Sequence, residues 1–267
     1  MTQAAEAAPD PARSGAGPLS RRDRMRAATM DEIKATARRI LLEKGPDAVS
    51  LRAIAREMGM TAPGLYRYYG SREELIRNVI ADIFTELAAG IKQAIRDADD
   101  RVAEGGTPAD GGTPEQHKPK MAAKMAAACH EFRRWSLTHK GEFGLLFGVP
   151  LPGVDDGRYD IAGECALRFA STFFTLFLDM WKKAPFAVPE PEEIDPGLRD
   201  QLARYRDAMG AGVPVGAMLT FLRCWMLLYS AVAMEVFGHL SFALEDPSPM
   251  FDVTISELAH LIGLQPP

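Results

Sequence analysis

Side chains able to do covalent or metal chemistry are thinly and irregularly placed in this chain. None of the five histidines, His117, His130, His139, His239 and His260, stands in an HExxH pair or beside a Cys-x-x-Cys, so no zinc signature is present. Glu235 and His239 lie four residues apart on one helical face, a pairing that suits a hydrogen bond better than a metal. The cysteines Cys129, Cys165 and Cys224 are odd in number and sit among apolar or helical residues, as buried thiols in a reducing compartment do. No Walker A loop, GxGxxG after a strand or GxSxG elbow occurs. With no catalytic residue, cofactor or metal ligand expected, the remaining chemistry is recognition, and it concentrates in residues 50–72, SLRAIAREMGMTAPGLYRYYGSR.

Two short helices joined by a tight turn must position that stretch. Ser50 can cap the first, and Leu51, Ile54, Ala55 and Met58 then share an apolar face. Gly59 suits the positive φ of a helix end, and Ala62-Pro63 restarts the chain with proline in a first turn. Gly70-Ser71 stops the second helix, and Ser71 with Glu74 forms the capping pair of the next. Helix, short turn, helix is the geometry that seats a second helix in the DNA major groove.

Charge agrees with this division. The 267-residue chain carries a formal charge of -5, yet residues 20–77 hold 13 Lys and Arg against 8 Asp and Glu, leaving 18 against 28 elsewhere. Attraction to phosphate is local, screened within roughly 8–10 Å, so a basic head on an acidic body is consistent with binding DNA. The remaining sequence predicts helices throughout. Residues 24–44 repeat Ile33, Ala37, Ile40 and Leu41; residues 72–96 repeat Leu75, Val79, Ile83, Leu87 and Ile91. Residues 97–119, charged and rich in Gly, Pro and Thr, are expected to form a mobile loop. Further helices are expected at about 120–140, 142–148, 159–183, 197–209, 214–238 and 246–262, with a bend at Pro150 and Pro152-Gly153. The apolar run 213–240 is interrupted by Arg223 and Glu235, and residues 1–19 show no apolar core of a secretory leader, so a cytoplasmic protein without a membrane partner is expected.

The ordered set Lys44-Gly45, Ser50-Leu51-Arg52-x-Ile54-Ala55, Met58-Gly59, Gly64-Leu65-Tyr66-x-Tyr68-Tyr69 and Ser71-Arg72-Glu73-Glu74-Leu75 resembles the DNA-binding domain of the tetracycline-repressor (TetR) family of transcription regulators, over residues 25–80. Tyr68 replaces a common His, Tyr69 a frequent Phe, and Arg72 a usual Lys. The resemblance implies that Thr61, Ala62, Pro63 and Arg67 read bases, Arg67 meeting guanine in two hydrogen bonds. It assigns phosphate clamping to Ser50, the Gly64 backbone N–H, Tyr66, Tyr68 and Arg72, with Arg52 able to reach either. Arg133-Arg134-Trp135-Ser136-Leu137, Phe143-x-Leu145-Leu146-Phe147-Gly148 and Glu235-Val236-Phe237-Gly238-His239-Leu240 are similar to regulators with a WHG-type C-terminal domain, although Tyr229-Ser230 stands where His-Gly is expected.

The expected architecture is therefore all-α: a basic disordered tail at 1–23, a helix-turn-helix domain at 24–77, and a ligand-binding and dimerisation domain at 78–267. The resemblance implies a homodimeric repressor of a palindromic operator, released by a small hydrophobic or amphipathic inducer. An activator, a protein-binding adaptor of the same fold, and a helical enzyme are the alternatives. Phe132, Trp135, Phe169, Phe173, Phe177 and Met226 are expected to line the inducer pocket. Met218, Phe221, Leu222, Leu228, Phe237, Ile255, Leu258 and Leu261 are expected at the dimer interface, in a four-helix bundle.

Overall fold

A computed structural model describes residues 20–104, 113–148, 151 and 161–265; the proposed disordered tail at 1–19 and the bend at Pro150 and Pro152-Gly153 lie outside the described residues. The fold is all-helical, and no strand occurs among the described residues. Helix α1 (Arg21–Lys44) begins where Ser20 Oγ accepts the Asp23 N–H, and buries Ile33, Ala37, Ile40 and Leu41. Arg21 and Arg22 thus belong to a helix, where the tail was expected to extend to residue 23. Gly45 ends α1 with φ +79°, a conformation costly for any residue with a Cβ.

Next come α2 (Leu51–Glu57), α3 (Ala62–Tyr66) and α4 (Arg72–Glu104). Their small core closes on Ile54, Leu65, Tyr69 and Leu75. At about 1.5 Å per residue the 33-residue α4 runs close to 50 Å, out of the head and through the C-terminal domain, packing there on α5 (Pro114–Thr138) and α7 (Ile161–Lys183). Of the loop expected at 97–119, residues 97–104 and 114–119 are helix, and residues 105–112 lie outside the described residues. Ala98 is buried, and Asp99 pairs with Lys120 at 2.9 Å and Lys124 at 3.6 Å on α5, so the charges that suggest a loop instead join two helices.

Short α6 (Lys140–Phe147) follows α5, and α8 (Pro196–Ala208), α9 (Val215–Val236) and α10 (Ser248–Leu261) complete the domain. By length and composition α7 and α9 could each cross a membrane. Core helices meet the same test: α7 buries Phe169, Phe173 and Phe177, and α9 buries Met218, Phe221 and Leu228.

Candidate nucleic-acid interface and the cavity behind it

The recognition elements are built by two capping hydroxyls. Ser50 Oγ accepts the Ala53 N–H at 3.1 Å and starts α2; Thr61 Oγ1 accepts the Gly64 N–H at 3.2 Å and starts α3. Each hydroxyl keeps its own hydrogen to donate outward. A Cβ on Gly64 would lie 3.0 Å from Thr61 Oγ1, so glycine keeps that cap unstrained. The Gly64 N–H, expected to hold a phosphate, is thereby occupied within the protein.

Arg52, Pro63, Tyr66 and Arg67 are exposed, and Ala62 and Tyr68 are half-buried. Arg56, outside the expected set, is exposed on α2 as well. Arg26 reaches back from α1: its guanidinium lies 5.2 Å from the Tyr68 ring centroid and its Nη2 donates to the Arg67 carbonyl at 3.4 Å. A residue that the sequence places in a basic cluster thus props the end of the recognition helix.

Arg72 departs from expectation. Its Nε donates to the Val49 carbonyl at 3.0 Å, its Nη2 to the Pro46 carbonyl at 2.7 Å, and its Nη1 meets Glu73 at 3.3 Å. The fork that was to grip a phosphate instead fastens α4 to the turn before α2. The capping of α4 is also shifted by one residue: Ser71 Oγ accepts the Glu74 N–H, while the Glu74 carboxylate accepts from Gly70 N–H.

In the C-terminal domain an apolar cavity lies between α5, α7, α9 and α10, walled by Cys129, Phe173, Phe177, Phe221, Trp225 and Leu228. It offers about 30 Å³ to the centre of a water-sized sphere, room for a water or two. Of the expected pocket residues, Phe173 and Phe177 line this cavity. Phe132 and Phe169 stand one layer behind, their ring centroids 6.1 and 5.9 Å from that of Phe173. Trp135 turns away, stacking on His139 and donating to Glu86 at 3.4 Å. Met226 points outward at 64% exposure and does not line the cavity of this protomer. Burial pushes the Cys129 and Cys224 thiols up to about 12, so both are neutral and poor nucleophiles at physiological pH.

Most of the expected dimer contacts are corrected too. Met218, Phe221, Leu228, Ile255 and Leu258 are buried inside the protomer, and Phe221, Leu228 and Leu258 line the cavity. Leu222 and Leu261 are half-buried, and Phe237 is exposed. The outward face of α9 instead shows Met226, Met234 and, just beyond its end, Phe237, and that of α10 shows Met250 and Val253.

Helix α6 touches both regions. On one side Arg38 of α1 donates to Glu142 Oε1 through Nε at 3.2 Å and Nη2 at 2.8 Å, while its Nη1 binds Glu86 of α4 at 2.8 Å. A Cβ at Gly141 would come within 2.9 Å of Leu42 Cδ2, which measures how closely α6 lies on α1. On the other side Phe143 and Phe147 enter the aromatic cluster, and Tyr229 of α9 donates to the Phe147 carbonyl at 3.0 Å.

A capped helix-turn-helix with free arginines, joined by a long helix to an all-α domain with an apolar cavity, defines a DNA-binding regulator of two domains. Residues 33–79 match the model for bacterial regulatory proteins of the tetR family, and residues 125–258 match the tetracyclin repressor-like C-terminal domain. The chain belongs to the tetR family: it is a transcriptional regulator and not an enzyme. It is 28% identical over 233 residues to the HTH-type transcriptional regulator Rv1816 of Mycobacterium tuberculosis, spanning 87% of this chain and 91% of that one. The match to Mb1846 of Mycobacterium bovis has the same identity and extent. Among solved structures, SCO4313 superposes with a TM-score of 0.65 at 25% identity over 90% of this chain and 100% of that one. A TetR/AcrR-family regulator from Thermobifida fusca, at 15% identity and a TM-score of 0.50, covers 86% of this chain and 96% of its own, and shares the fold. Among the described residues no cluster of His, Cys, Asp and Glu is arranged to hold a metal ion.

Proposed function

We propose that the protein is a cytoplasmic, homodimeric repressor that binds a palindromic operator and is released by a small hydrophobic or amphipathic inducer. The observation that carries this reading is the position of α6, which contacts the DNA-binding head through Arg38–Glu142 and the aromatic shell of the cavity through Phe147. One α3 offers few polar contacts to bases: Arg67 and Thr61, with Arg52 from α2. A two-fold dimer doubles them on successive major grooves. The apolar stripe of Met226, Met234, Phe237, Met250 and Val253, with Leu222 and Leu261 at its margin, is the surface that supports dimerisation through α9 and α10.

The cavity is far smaller than the ~300–1,000 Å³ that ordinary ligand sites occupy. An inducer enters only by spreading the surrounding helices, so it favours a different helix arrangement from the one that holds the cavity closed. Coupling of this kind is typically about 1–3 kcal/mol, or ~5–150-fold in operator affinity.

Selection of host-genome fragments on the purified protein tests the reading. The expected result is an enriched two-fold motif whose half-sites lie about one helical turn, ~34–36 Å, apart. Deletion of the gene should raise transcription from the bound promoters. A fall would make the protein an activator, and an asymmetric single half-site would remove the dimer. Met226→Glu with Met250→Glu should sediment as a folded monomer; an unchanged dimer would refute the assigned face.

A further inference from the structure

A second recess lies on the other side of α7 from the apolar cavity, and nothing in the DNA-binding reading uses it. It is an open trough of about 630 Å³ between α4, α5 and α7. Lys92, Arg96, Lys124 and Lys182 face it, over a floor that includes Ile95 and Leu176. Leu176 is buried. The one carboxylate on its wall, Asp179, is paired with Lys183 at 3.1 Å. Lys124 is shared with Asp99 at 3.6 Å. Among the described residues Lys92 and Lys182 have no carboxylate partner, and the Arg96 guanidinium bonds to the neutral Gln93 amide.

This concentration of positive charge runs against its surroundings, since the chain outside residues 20–77 carries 28 Asp and Glu against 18 Lys and Arg. A recess in which cations outnumber a single, already paired carboxylate, over a low-dielectric floor, focuses a positive field on whatever enters. Lys92 lies twenty residues along α4 from Arg72, about 30 Å at 1.5 Å per residue, so these cations stand well away from the DNA-binding face. Their volume also suits a small molecule.

We propose that this trough binds a small phosphorylated metabolite, its phosphate or pyrophosphate held by Arg96, Lys92 and Lys182 and its body lying over Ile95 and Leu176. A guanidinium fork and two ammonium groups match an anion of charge two or more, where a single carboxylate would leave cations uncompensated. The site stands whether or not the apolar cavity takes an inducer.

Calorimetric titration of the full-length protein with inorganic pyrophosphate, at ionic strength held constant with sodium chloride, tests the proposal. The expected result is saturable binding at one site per protomer, tighter than about 1 mM. Arg96→Glu with Lys182→Glu, both exposed positions, should weaken it at least ~10-fold, worth one factor of ten in Kd, with an unchanged circular dichroism spectrum. Arg67→Glu, which alters the DNA-binding face, should leave it intact. Heats equal to those of chloride, binding unaltered in the double variant, or binding lost only with Arg67→Glu would each overturn it.

Discussion

The clasp between α1 and α6 is open to a quantitative test by a double-mutant cycle on Arg38 and Glu142. Arg38 gives two charge-assisted bonds to Glu142 and one to Glu86. The side chains of Arg38 and Glu142 are 27% and 12% exposed, which places the pair between two regimes. Exposed pairs are worth about 0.2–1 kcal/mol, and removing one partner of a buried pair costs about 3–5 kcal/mol. We expect a coupling energy of about 1–2 kcal/mol between Arg38→Met and Glu142→Gln, measured by urea unfolding. A value within ~0.3 kcal/mol of zero would refute the pairing.

If the clasp orients the head, Glu142→Gln should also lower operator affinity by roughly 5–30-fold, the equivalent of that energy, and spare binding to random DNA. A normal operator affinity alongside a clear coupling energy would leave the clasp as a support of the fold only. Its pH dependence follows from Glu86. Burial raises that carboxyl, but hydrogen bonds from Arg38 and Trp135 and the Arg38 charge outweigh burial and hold it below its ordinary value. A depressed folded pKa gives stability that is present above the unfolded value, about 4.3, and lost as pH falls through the folded one. The carboxylate's contribution to the clasp should therefore be present in full above about pH 6 and be lost on acidification.

Three further substitutions probe the head. Arg67→Ala should weaken operator binding by about 1–3 kcal/mol while non-specific binding stays nearer normal, and equal losses on both would remove its base-reading role. Arg72→Ala should destabilise the protein by about 1.5–3 kcal/mol, because charge-assisted bonds to Pro46 and Val49 are lost. Its folded fraction should keep the wild-type salt slope, and a slope reduced by about one would restore a phosphate contact. The Tyr69 hydroxyl is buried without a hydrogen-bond partner among the described residues, and burial pushes its pKa up. Tyr69→Phe should therefore stabilise the chain by about 1–2 kcal/mol, read as a raised Tm; a lowered Tm would mean that the hydroxyl is satisfied.

The head was legible in the sequence because its determinants are local. Ser50, Gly59 and Thr61 act on neighbours three or fewer residues away, so their types and spacing state the turn outright. Arg72 was misread for the opposite reason: its partners Pro46 and Val49 are more than twenty residues back, and no motif reveals that a guanidinium is already engaged. The dimer face failed on a different ground. Helix α9 is apolar on both sides, with Met218 and Phe221 inward and Met226 and Met234 outward, so helical periodicity alone cannot separate core from outer surface. At 97–104, helical spacing was hidden by charges, among them Asp99, whose partners Lys120 and Lys124 lie on another helix.

The same packing that defeats a sequence reading also links the cavity to the head through a continuous set of contacts. Trp225 walls the cavity and stacks on Tyr229, ring centroids 6.0 Å apart. Tyr229 donates to the Phe147 carbonyl, and Phe147 ends the helix whose other end carries Glu142 against Arg38. A His at residue 229, as the WHG pattern would have, is shorter than Tyr, whose phenol spans the gap to α6 directly. On the proposed mechanism, a ligand that displaces Trp225 shifts this chain of contacts as a unit. Gly141 lies directly against Leu42, so α6 and α1 are in close contact where the movement would arrive. Close-packed interiors transmit such displacements. On the proposed mechanism such an apolar cavity needs no polar trigger: the volume of the ligand would itself be the signal, and α6 would carry it to α1.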